Sequence, residues 1–584
     1  MTATIRPAAR PGAWRIFVIG LVAVLAAGIG TAAGAFLLRD RAAGAGGAAT
    51  YVPADAPMYF EVRLEPSAAQ DAALREFLGR FPAIDGLDLG RPLYDQLGEM
   101  LDEQLTEAGD TDLSWSADVE PWFDGRVAFA ITDIPLDAMA APVDPMADPA
   151  LPGMLVVVGV TDAEAARAAA ARLVDEATGG GATLVESEHR GVTIRSGDGI
   201  DGAYAVTDDA LLVAPDPASI MEALDIHADV DAGLAATQHL GDVVDHLPSD
   251  WLAFGAFDFA GIMSAALAEG SEQDAAAAAA MQAILEHQPM RGATVITAQG
   301  DRLAVDGTAD APTGPFAVRN ADRGLAAEVP ADALYFADGG NIGVALAAVI
   351  DAIKQAAETE PEAAEQIAMV EAALGADLTE LVDWIDDGAM AAGWGTEPWA
   401  GVILVPSDVD AAERRLGQLS TFAGLAALDP GSGVTVSESE IAGEQVTTIR
   451  WNGPGGMEAA GMPMTDGIVV EYTVTDDRAI IGFGESFVRM TLELGEADSL
   501  AADPRYAATI EELGGATNAG VTWLDLAAAR EAILAAMGPM MELADPDDEF
   551  ATTIEAWLAP LDRLASVSVL EGEVVVSRAA LFVE

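Results

Sequence analysis

Two groups of side chains have residue types and spacing that could bind a metal ion. His239 and His246 are seven residues apart, so on a helix they would share a face. Imidazole nitrogens are common ligands of divalent metals such as Zn²⁺. The competing interpretation is a pair of surface histidines, because the spacing lacks the HExxH form. These two residues are therefore kept as candidate metal ligands.

The second group is an acidic run near the C-terminus. Asp545, Asp547 and Glu549, with Asp548 between them, offer the carboxylate oxygens that hold Ca²⁺ outside cells. The run lacks the glycine and the spaced glutamate of an EF-hand loop, so a solvated acidic loop is the competing interpretation. It adds three candidate metal ligands: Asp545, Asp547 and Glu549.

Sequence motifs give no support for other chemistry: the G-x-G-x-x-G at 197–202 is followed by a β run and not by a helix, so a hairpin turn explains it better. The chain has no cysteine, which excludes thiolate nucleophiles, cysteine-ligated zinc, iron-sulfur clusters and disulfides. It also has no G-x-S-x-G elbow and no P-loop, so acyl transfer and nucleotide chemistry have no support. The sequence assigns no catalytic residue and identifies no cofactor.

The charge of the chain limits its partners. There are 28 Lys and Arg against 95 Asp and Glu, a formal net charge of -67, and Lys354 is the single lysine. Nucleic acid is not expected as a partner, because its phosphates are bound by clusters of Lys and Arg. Such acidity suits high salt, which screens the self-repulsion. A bias in genomic base composition explains the same residues, and the sequence does not decide between the two.

A long uncharged segment lies near the N-terminus. Residues 16–38 contain no charged side chain, which is long enough for one transmembrane helix. Arg6, Arg10 and Arg15 precede it without an acidic residue. The positive-inside rule therefore predicts a cytoplasmic N-terminus at 1–15 and places the bulk of the chain outside the cytoplasm, attached to the cell membrane by a single pass.

A cleaved signal peptide is the alternative for this segment. Residues 33–35 read Ala-Gly-Ala, which has the small-x-small form of a cleavage site. Both interpretations export the rest of the chain, so whether the segment is cleaved stays open. Residues 39–50 are rich in Ala and Gly and are predicted to form a flexible tether.

The remainder of the sequence contains an internal repeat. VPADA at 52–56 recurs at 329–333, and Y-x-V-T-D-D at 204–209 recurs at 472–477. Further matches keep the same order, including Trp122 with Trp384 and Thr193-Ile194-Arg195 with Thr448-Ile449-Arg450. The two matching tryptophans are predicted to be core residues, with a ligand platform as the alternative. Collinear matches of this kind indicate duplication. The predicted copies span 51–310 and 328–584, and a Pro/Gly-bearing linker at 311–327 joins them.

Each copy reads as consecutive strands interrupted by isolated helices. Asp162 and Asp408 precede Ala-rich helical patterns and are predicted helix N-caps. Asp208-Asp209 and Asp476-Asp477 lie between short β runs and predict hairpin turns. This order favours an α+β fold over a doubly wound sheet. The predicted fold class is two tandem copies of an α+β module, each with a largely antiparallel sheet and helices packed against it, preceded by one transmembrane helix.

The layout resembles a known bacterial family. The exported VPADAxxYF opening at 52–60, the PWxxG step at 121–125 and the two copies behind one anchor are similar to the exported proteins catalogued as domain of unknown function 3352. The second copy has Asp383 where the first has Pro121. The resemblance implies an exported α+β protein and carries no catalytic residues to this sequence.

Three hypotheses of function follow. The first is a membrane-anchored, non-enzymatic binding or envelope-associated module whose partner is a protein, a peptide or an apolar ligand. The second is an exported hydrolase or metal-dependent enzyme, which a pocket with convergent polar groups and shifted pKa values would favour. The third is a structural element of the envelope. The sequence gives neither the ligand nor the oligomeric state, and it does not say whether the two copies pack as one unit.

Overall fold

The structure is a computed structural model, and it divides into two compact units. Unit 1 takes its residues from Met1–Ala265 and Met290–Ala309, and unit 2 from Ala266–Pro289 and Asp310–Glu584. The residues that the structure describes are 47–82, 87–107, 114–133, 153–178, 183–198, 200–229, 232–237, 241, 243–258, 263, 281–282, 284–288, 291–358, 361–395, 398–429, 431–452, 468–541 and 555–584.

Unit 1 is built on ten antiparallel strands. They are β1 (Met58–Arg63), β2 (Phe123–Asp133), β3 (Gly153–Val160), β4 (Thr183–His189), β5 (Val192–Asp198), β6 (Ile200–Val206), β7 (Ala210–Ala214), β8 (Ala253–Asp258), β9 (Arg291–Ala298) and β10 (Arg302–Asp310). The strand order is β4-β5-β6-β7-β3-β2-β1-β8-β9-β10. The described helices of this unit are α1 (Ala68–Leu78), α2 (Leu93–Glu107), α3 (Trp115–Asp118), α4 (Ala163–Ala177) and α5 (Pro217–Ala228), with 3₁₀ turns at Gly47–Tyr51 and Leu234–Ala236.

Unit 2 contains a second set of ten strands and one short ribbon. The strands are β11 (Ala321–Asp322), β12 (Ala333–Gly339), β13 (Ile385–Trp394), β14 (Pro398–Pro406), β15 (Val434–Ile441), β16 (Glu444–Trp451), β17 (Ile468–Val474), β18 (Ala479–Phe483), β19 (Thr517–Asn518), β20 (Gly520–Asp525), β21 (Leu561–Glu571) and β22 (Val574–Val583). The order is β15-β16-β17-β18-β14-β13-β12-β20-β21-β22, and β11 pairs separately with β19.

The helices of unit 2 differ in length and packing from those of unit 1. The described ones are α6 (Ile342–Ala357), α7 (Pro361–Leu374), α8 (Val409–Ala426), α9 (Phe487–Leu492), α10 (Pro504–Leu513) and α11 (Leu526–Met541). Short 3₁₀ turns lie at Gly314–Phe316, Leu325–Glu328, Thr379–Leu381, Glu496–Asp498 and Leu500–Ala502.

The strand order is the same in both units. Counted along either sheet, the strand that opens the unit, β1 or β12, is seventh in line, and each strand on either side of it has a counterpart at the same place in the other unit. Residues 311–327, the predicted linker, include β11 on β19, and Leu325 and Ala326 there are buried. The ends of the predicted copies stay predictions.

Local sequence signals explain several of the elements. The Asp162 side chain accepts hydrogen bonds from the backbone NH groups of Glu164 and Ala165, and Asp408 accepts one from Ala411. Both N-caps satisfy donors that the first helical turn leaves without partners, as predicted. The two Asp-Asp pairs also lie in the predicted hairpins, between β6 and β7 and between β17 and β18. The N-cap and hairpin predictions are confirmed.

The predicted fold class was wrong in one part, the transmembrane helix. Among the described helices, none is long and apolar enough to cross a membrane. The apolar α6, for example, has 16 residues and contains Asp351 and Lys354, whereas a span needs about 20 predominantly apolar residues. The predicted span at 16–38 lies outside the described residues. What the structure supports is an α+β fold in which twenty strands of the described residues form mostly antiparallel sheet and helices pack against it.

Each unit has its own apolar core. In unit 1, one face of β2, β3, β6 and β7 packs against α3 and α4, with Trp115, Trp122 and Phe123 among the buried side chains. In unit 2, one face of the sheet packs against α9 and α10, with Phe336, Phe487 and Trp523 at the centre. Trp122 and Trp384 are both 3% exposed, which confirms the prediction that they are core residues.

Candidate functional site

The residues predicted to bind a metal are mostly beyond the part of the chain that the structure describes. His239, Asp545, Asp547 and Glu549 lie outside the described residues, and His246 is described and exposed. Within the described ranges, no group of three or more His, Asp or Glu side chains is arranged to hold a metal ion. Both metal sites therefore stay predictions.

Both units bury a carboxylate at the same place on the opening strand. Glu61 comes five residues after the end of the first VPADA sequence and Asp338 five residues after the end of the second. Their exposed fractions are 0% and 5%. A carboxylate in the interior costs free energy unless hydrogen bonds or cations compensate it, so this shared feature needs partners in each unit.

The two carboxylates have different partners. The Tyr59 hydroxyl donates a hydrogen bond to Glu61 Oε2 at 2.6 Å. The corresponding residue of unit 2 is Phe336, which has no hydroxyl, and the nearest cation to Asp338 Oδ1 is Arg323 Nη1 at 3.6 Å. Burial raises the pKa of Asp338 to about 6, because the loss of solvation outweighs the attraction of Arg323, and Asp387 adds repulsion.

Arg323 ties the segment before β12 to the rest of unit 2. Its guanidinium donates to the carbonyl oxygens of Asn518 at 3.1 Å and Ala519 at 3.0 Å, and Nη1 lies 3.4 Å from Asp387 Oδ2. The side chain of Asp338 is only 1% exposed. A carboxylate so enclosed cannot reach a dissolved substrate, so this cluster stabilises the fold and does not act as a catalytic acid or base.

A small open cleft lies beside the second VPADA turn. Its volume is about 540 Å³, and its lining includes Ala331, Asp332, Met490 and Leu494. The corresponding helix of unit 1, α5, has twelve residues, whereas α9 has six. Near the end of α5, the ring of His227 stacks on Tyr51 with centroids 4.0 Å apart. The shorter helix leaves space in unit 2.

The most extended feature of unit 2 is a set of exposed apolar side chains on one side of its sheet. Met390, Trp394, Trp451 and Phe483 are 49%, 44%, 40% and 53% exposed. We call these four residues the apolar face. Folding normally covers large apolar side chains, and a contiguous exposed patch of them marks an interaction surface.

Strand register places these side chains on the same side. Met390 pairs with Val402, which pairs with Ile481. Two residues further along, Ala392 pairs with Ala400, which pairs with Phe483. Side chains of directly paired residues point to the same face, as do residues two apart on one strand. Met390 and Phe483 therefore lie on the same side of the sheet, on strands separated by β14.

The described helices pack around the apolar face and leave its four side chains partly exposed. α7 packs against both α6 and α8. α8 packs on β15, β16 and β17, α11 packs on β12 and β21, and α6 packs on β13. On α8, the side chains of Leu419, Phe422 and Leu425 are 39%, 46% and 62% exposed. Their i, i+3 spacing puts them along one side of the helix. They extend the apolar surface away from the strands.

The corresponding side of unit 1 is covered. Phe129, Val156 and Val213 are paired across β2, β3 and β7 as Met390, Val402 and Ile481 are in unit 2. All three pack into the core beneath α4 and α3, where Trp115 is 4% exposed. Only unit 2, among the described residues, presents several large apolar side chains on this side of its sheet.

The sequence held only part of the signal for this face. Met390, Ala392 and Trp394 alternate with small residues on β13, and such alternation predicts a strand with two different faces. It does not tell which face stays exposed, because that depends on where α6, α8 and α11 pack. The apolar face was missed for this reason.

Comparisons with known proteins give one result. No curated protein and no solved structure matches this chain. The model of a family described as protein of unknown function, DUF3352, matches residues 18–557. This match covers nearly the whole chain and confirms the resemblance drawn from the VPADA and PWxxG motifs. The chain belongs to the DUF3352 family.

Proposed function

We propose that this protein is a non-enzymatic binding module that takes up an apolar segment of a partner protein on the apolar face of unit 2. The observation that carries the proposal is the exposure of Met390, Trp394, Trp451 and Phe483 on one side of the sheet. Covering side chains of this size with a partner removes apolar area from water and favours association.

A protein partner fits this surface better than a membrane does. The net charge of -67 repels the anionic headgroups of a bilayer surface. An enzymatic function has less support, because the carboxylate with the strongly raised pKa, Asp338, has a side chain that is 1% exposed. The proposal therefore follows the binding hypothesis and leaves the catalytic one aside.

The proposed location is outside the cytoplasm. Arg6, Arg10 and Arg15 precede the uncharged residues 16–38, as in exported chains. Protease added to intact cells, with the outer envelope layers permeabilised, tests it. Degradation of the whole of unit 2 supports export, and full protection until lysis contradicts it.

Uptake of the neutral apolar dye Nile red tests the binding surface. The double variant Met390→Ser, Phe483→Ser removes two of the four exposed side chains and is expected to lower the fluorescence gain by about half, since the area buried sets the gain. Val185→Ser is the matched control, because Val185 is 61% exposed in unit 1 and is not part of the apolar face. A double variant that binds the dye like the wild type would contradict the proposal.

A further inference from the structure

We propose that the occupant of the apolar face is a basic amphipathic α-helix of the partner. This inference rests on the proposed function and adds the shape and the charge of what binds there. Three features of unit 2 support it: the width of the sheet surface between the flanking helices, the apolar side of α8, and the charge of the surface.

The sheet surface between the flanking helices, which we call the floor, is about as wide as an α-helix. α8 lies over β15 to β17 and α11 over β12 and β21, which leaves β18, β14 and β13 between them. Neighbouring strands are about 4.8 Å apart, so three strands give a floor of about 10 Å. An α-helix with its side chains measures about 10–12 Å across.

α6 contacts this part of the sheet at the start of β13. Gly343 near its start lies so close to the beginning of β13 that an added Cβ would be 2.3 Å from the carbonyl oxygen of Ile385. Met390 comes five residues later on the same strand, about 17 Å away at about 3.4 Å per residue. Met390, Trp394 and Phe483 are 49%, 44% and 53% exposed, so the described helices leave this part of the floor open.

The surface relief of the floor suits the side of a helix. Ala392 and Ala400 lie between the larger Met390, Trp394 and Phe483 on paired strands. Two alanines between bulky residues form a depression into which a leucine side chain of a partner can insert. Leu419 and Phe422 on α8 supply an apolar side wall, so a helix would contact apolar groups on two sides.

Charge decides which kind of occupant fits. Glu438 and Glu440 follow Val436 in alternation on β15, so they lie on the same side of the sheet as the apolar face, and both are exposed. Glu485, two residues after Phe483, is ion-paired with Arg450, so this pair adds no net charge beside the face. With the net charge of -67, a fatty acid or a second copy of this chain would be repelled, whereas lysine and arginine would be attracted.

Peptide binding to the full chain tests this inference. The probe is a fluorescein-labelled amphipathic peptide of about 18 residues built from Leu and Lys, long enough to be helical on binding. A Leu/Glu peptide with the same leucine pattern tests charge, and a Leu/Lys peptide with scrambled order tests amphipathicity. Fluorescence anisotropy is read at about 0.15 M salt, where long-range attraction is screened.

The inference predicts saturable one-to-one binding of the Leu/Lys helix. Binding should weaken at least about tenfold in the Met390→Ser, Phe483→Ser variant and stay unchanged in Val185→Ser, because loss of central apolar contacts has this size of effect. The Leu/Glu and scrambled peptides should bind at least about tenfold more weakly, because the first lacks the complementary charge and the second lacks a continuous apolar side. Palmitate should not displace the helix.

Four outcomes would overturn it. They are equal binding of the Leu/Glu peptide, equal binding of the scrambled peptide, displacement by palmitate, and peptide binding that the double variant leaves intact. The last means that the acidic surface attracts any cation. If the double variant loses Nile red uptake but keeps peptide binding, the inference fails and the proposed function stands. If neither changes, both fail.

Discussion

Units 1 and 2 share one strand order but place their helices differently. The helix that follows the opening strand, α1 in unit 1 and α6 in unit 2, packs on β9 in the first case and on β13 in the second. Those strands lie on opposite sides of the opening strand. Two sheets of one topology therefore carry different surfaces, and the surface of unit 2 is where the apolar face arises.

The two units also differ in the partners of a buried carboxylate. At one place on the opening strand, unit 1 hydrogen-bonds its carboxylate through Tyr59, whereas unit 2 buries Asp338 beside Arg323 and raises its pKa. The matching position of the two units is thus acidic in both, while its partners differ. The sheet tolerates both solutions because each supplies some compensation for burial.

Replacing one tryptophan in each unit is expected to give the largest difference. Trp115 is 4% exposed and meets the Phe123 ring edge-on with centroids 5.5 Å apart, whereas Trp394 is 44% exposed. Trp115→Ala should lower the free energy of unfolding of unit 1 by about 3–5 kcal/mol. Trp394→Ala should lower that of unit 2 by less than about 1 kcal/mol.

Urea unfolding, monitored by hydrogen exchange of strand amides in each unit, measures the change in the free energy of unfolding for both variants. Equal losses in the two variants would mean that the two sides are covered to the same extent.

The next effect is a pH dependence that belongs to unit 2. The pKa of Asp338 is raised from 3.8 to about 6 in the folded state, so folding favours the protonated form. The resulting contribution to stability is fully present below about pH 4 and is lost as the pH rises through about 6. Across this window the loss is about 3 kcal/mol, at about 1.4 kcal/mol per unit of pKa shift.

The variant Asp338→Asn should remove this component. We expect the free energy of unfolding of the wild type, relative to the variant, to fall by about 3 kcal/mol between about pH 3 and pH 7. Hydrogen exchange of β12 amides over this range measures it, and Asp332→Asn, at an exposed position of the preceding turn, is the control. A difference that does not change with pH would contradict the account of Asp338.

The smallest effect compares two helix glycines. A Cβ on Gly98 of α2 would lie 2.8 Å from Trp115 Cδ1, whereas nothing lies within 4 Å of one on Gly417 of α8. Gly98→Ala should destabilise unit 1 by about 1–3 kcal/mol through overpacking. Gly417→Ala should stabilise unit 2 by about 0.5–1 kcal/mol, because alanine loses less backbone entropy in a helix.

Thermal unfolding of each variant gives the sign. If both variants shift the melting temperature in the same direction, the helix around Gly98 in unit 1 is packed no more tightly than the helix around Gly417 in unit 2.

Much of the fold could be predicted from local signals. The caps at Asp162 and Asp408, the Asp-Asp hairpins and the buried tryptophans all depend on a few neighbouring residues, and all were found where the sequence placed them. Such features are readable because backbone groups need nearby partners.

Features that depend on distant residues were not predictable. Arg323, Asp338 and Asp387 meet only because β11, β12 and β13 come together. Register is a similar case: Tyr204 pairs with Arg195, while Tyr472, its match, pairs with Thr447 and not with Arg450. The matching Thr-Ile-Arg letters therefore occupy different places in the two sheets. The apolar face has the same origin, since helix packing decides its exposure.

Carbene footprinting with a neutral diazirine reagent tests the central claim most directly, because the reagent labels apolar side chains that solvent reaches. The account predicts strong labelling of Met390, Trp394 and Phe483 in unit 2. It predicts weak labelling in unit 1 of Phe129, which corresponds to Met390, and of Val213, which corresponds to Ile481. Labelling of equal strength in the two units would contradict it.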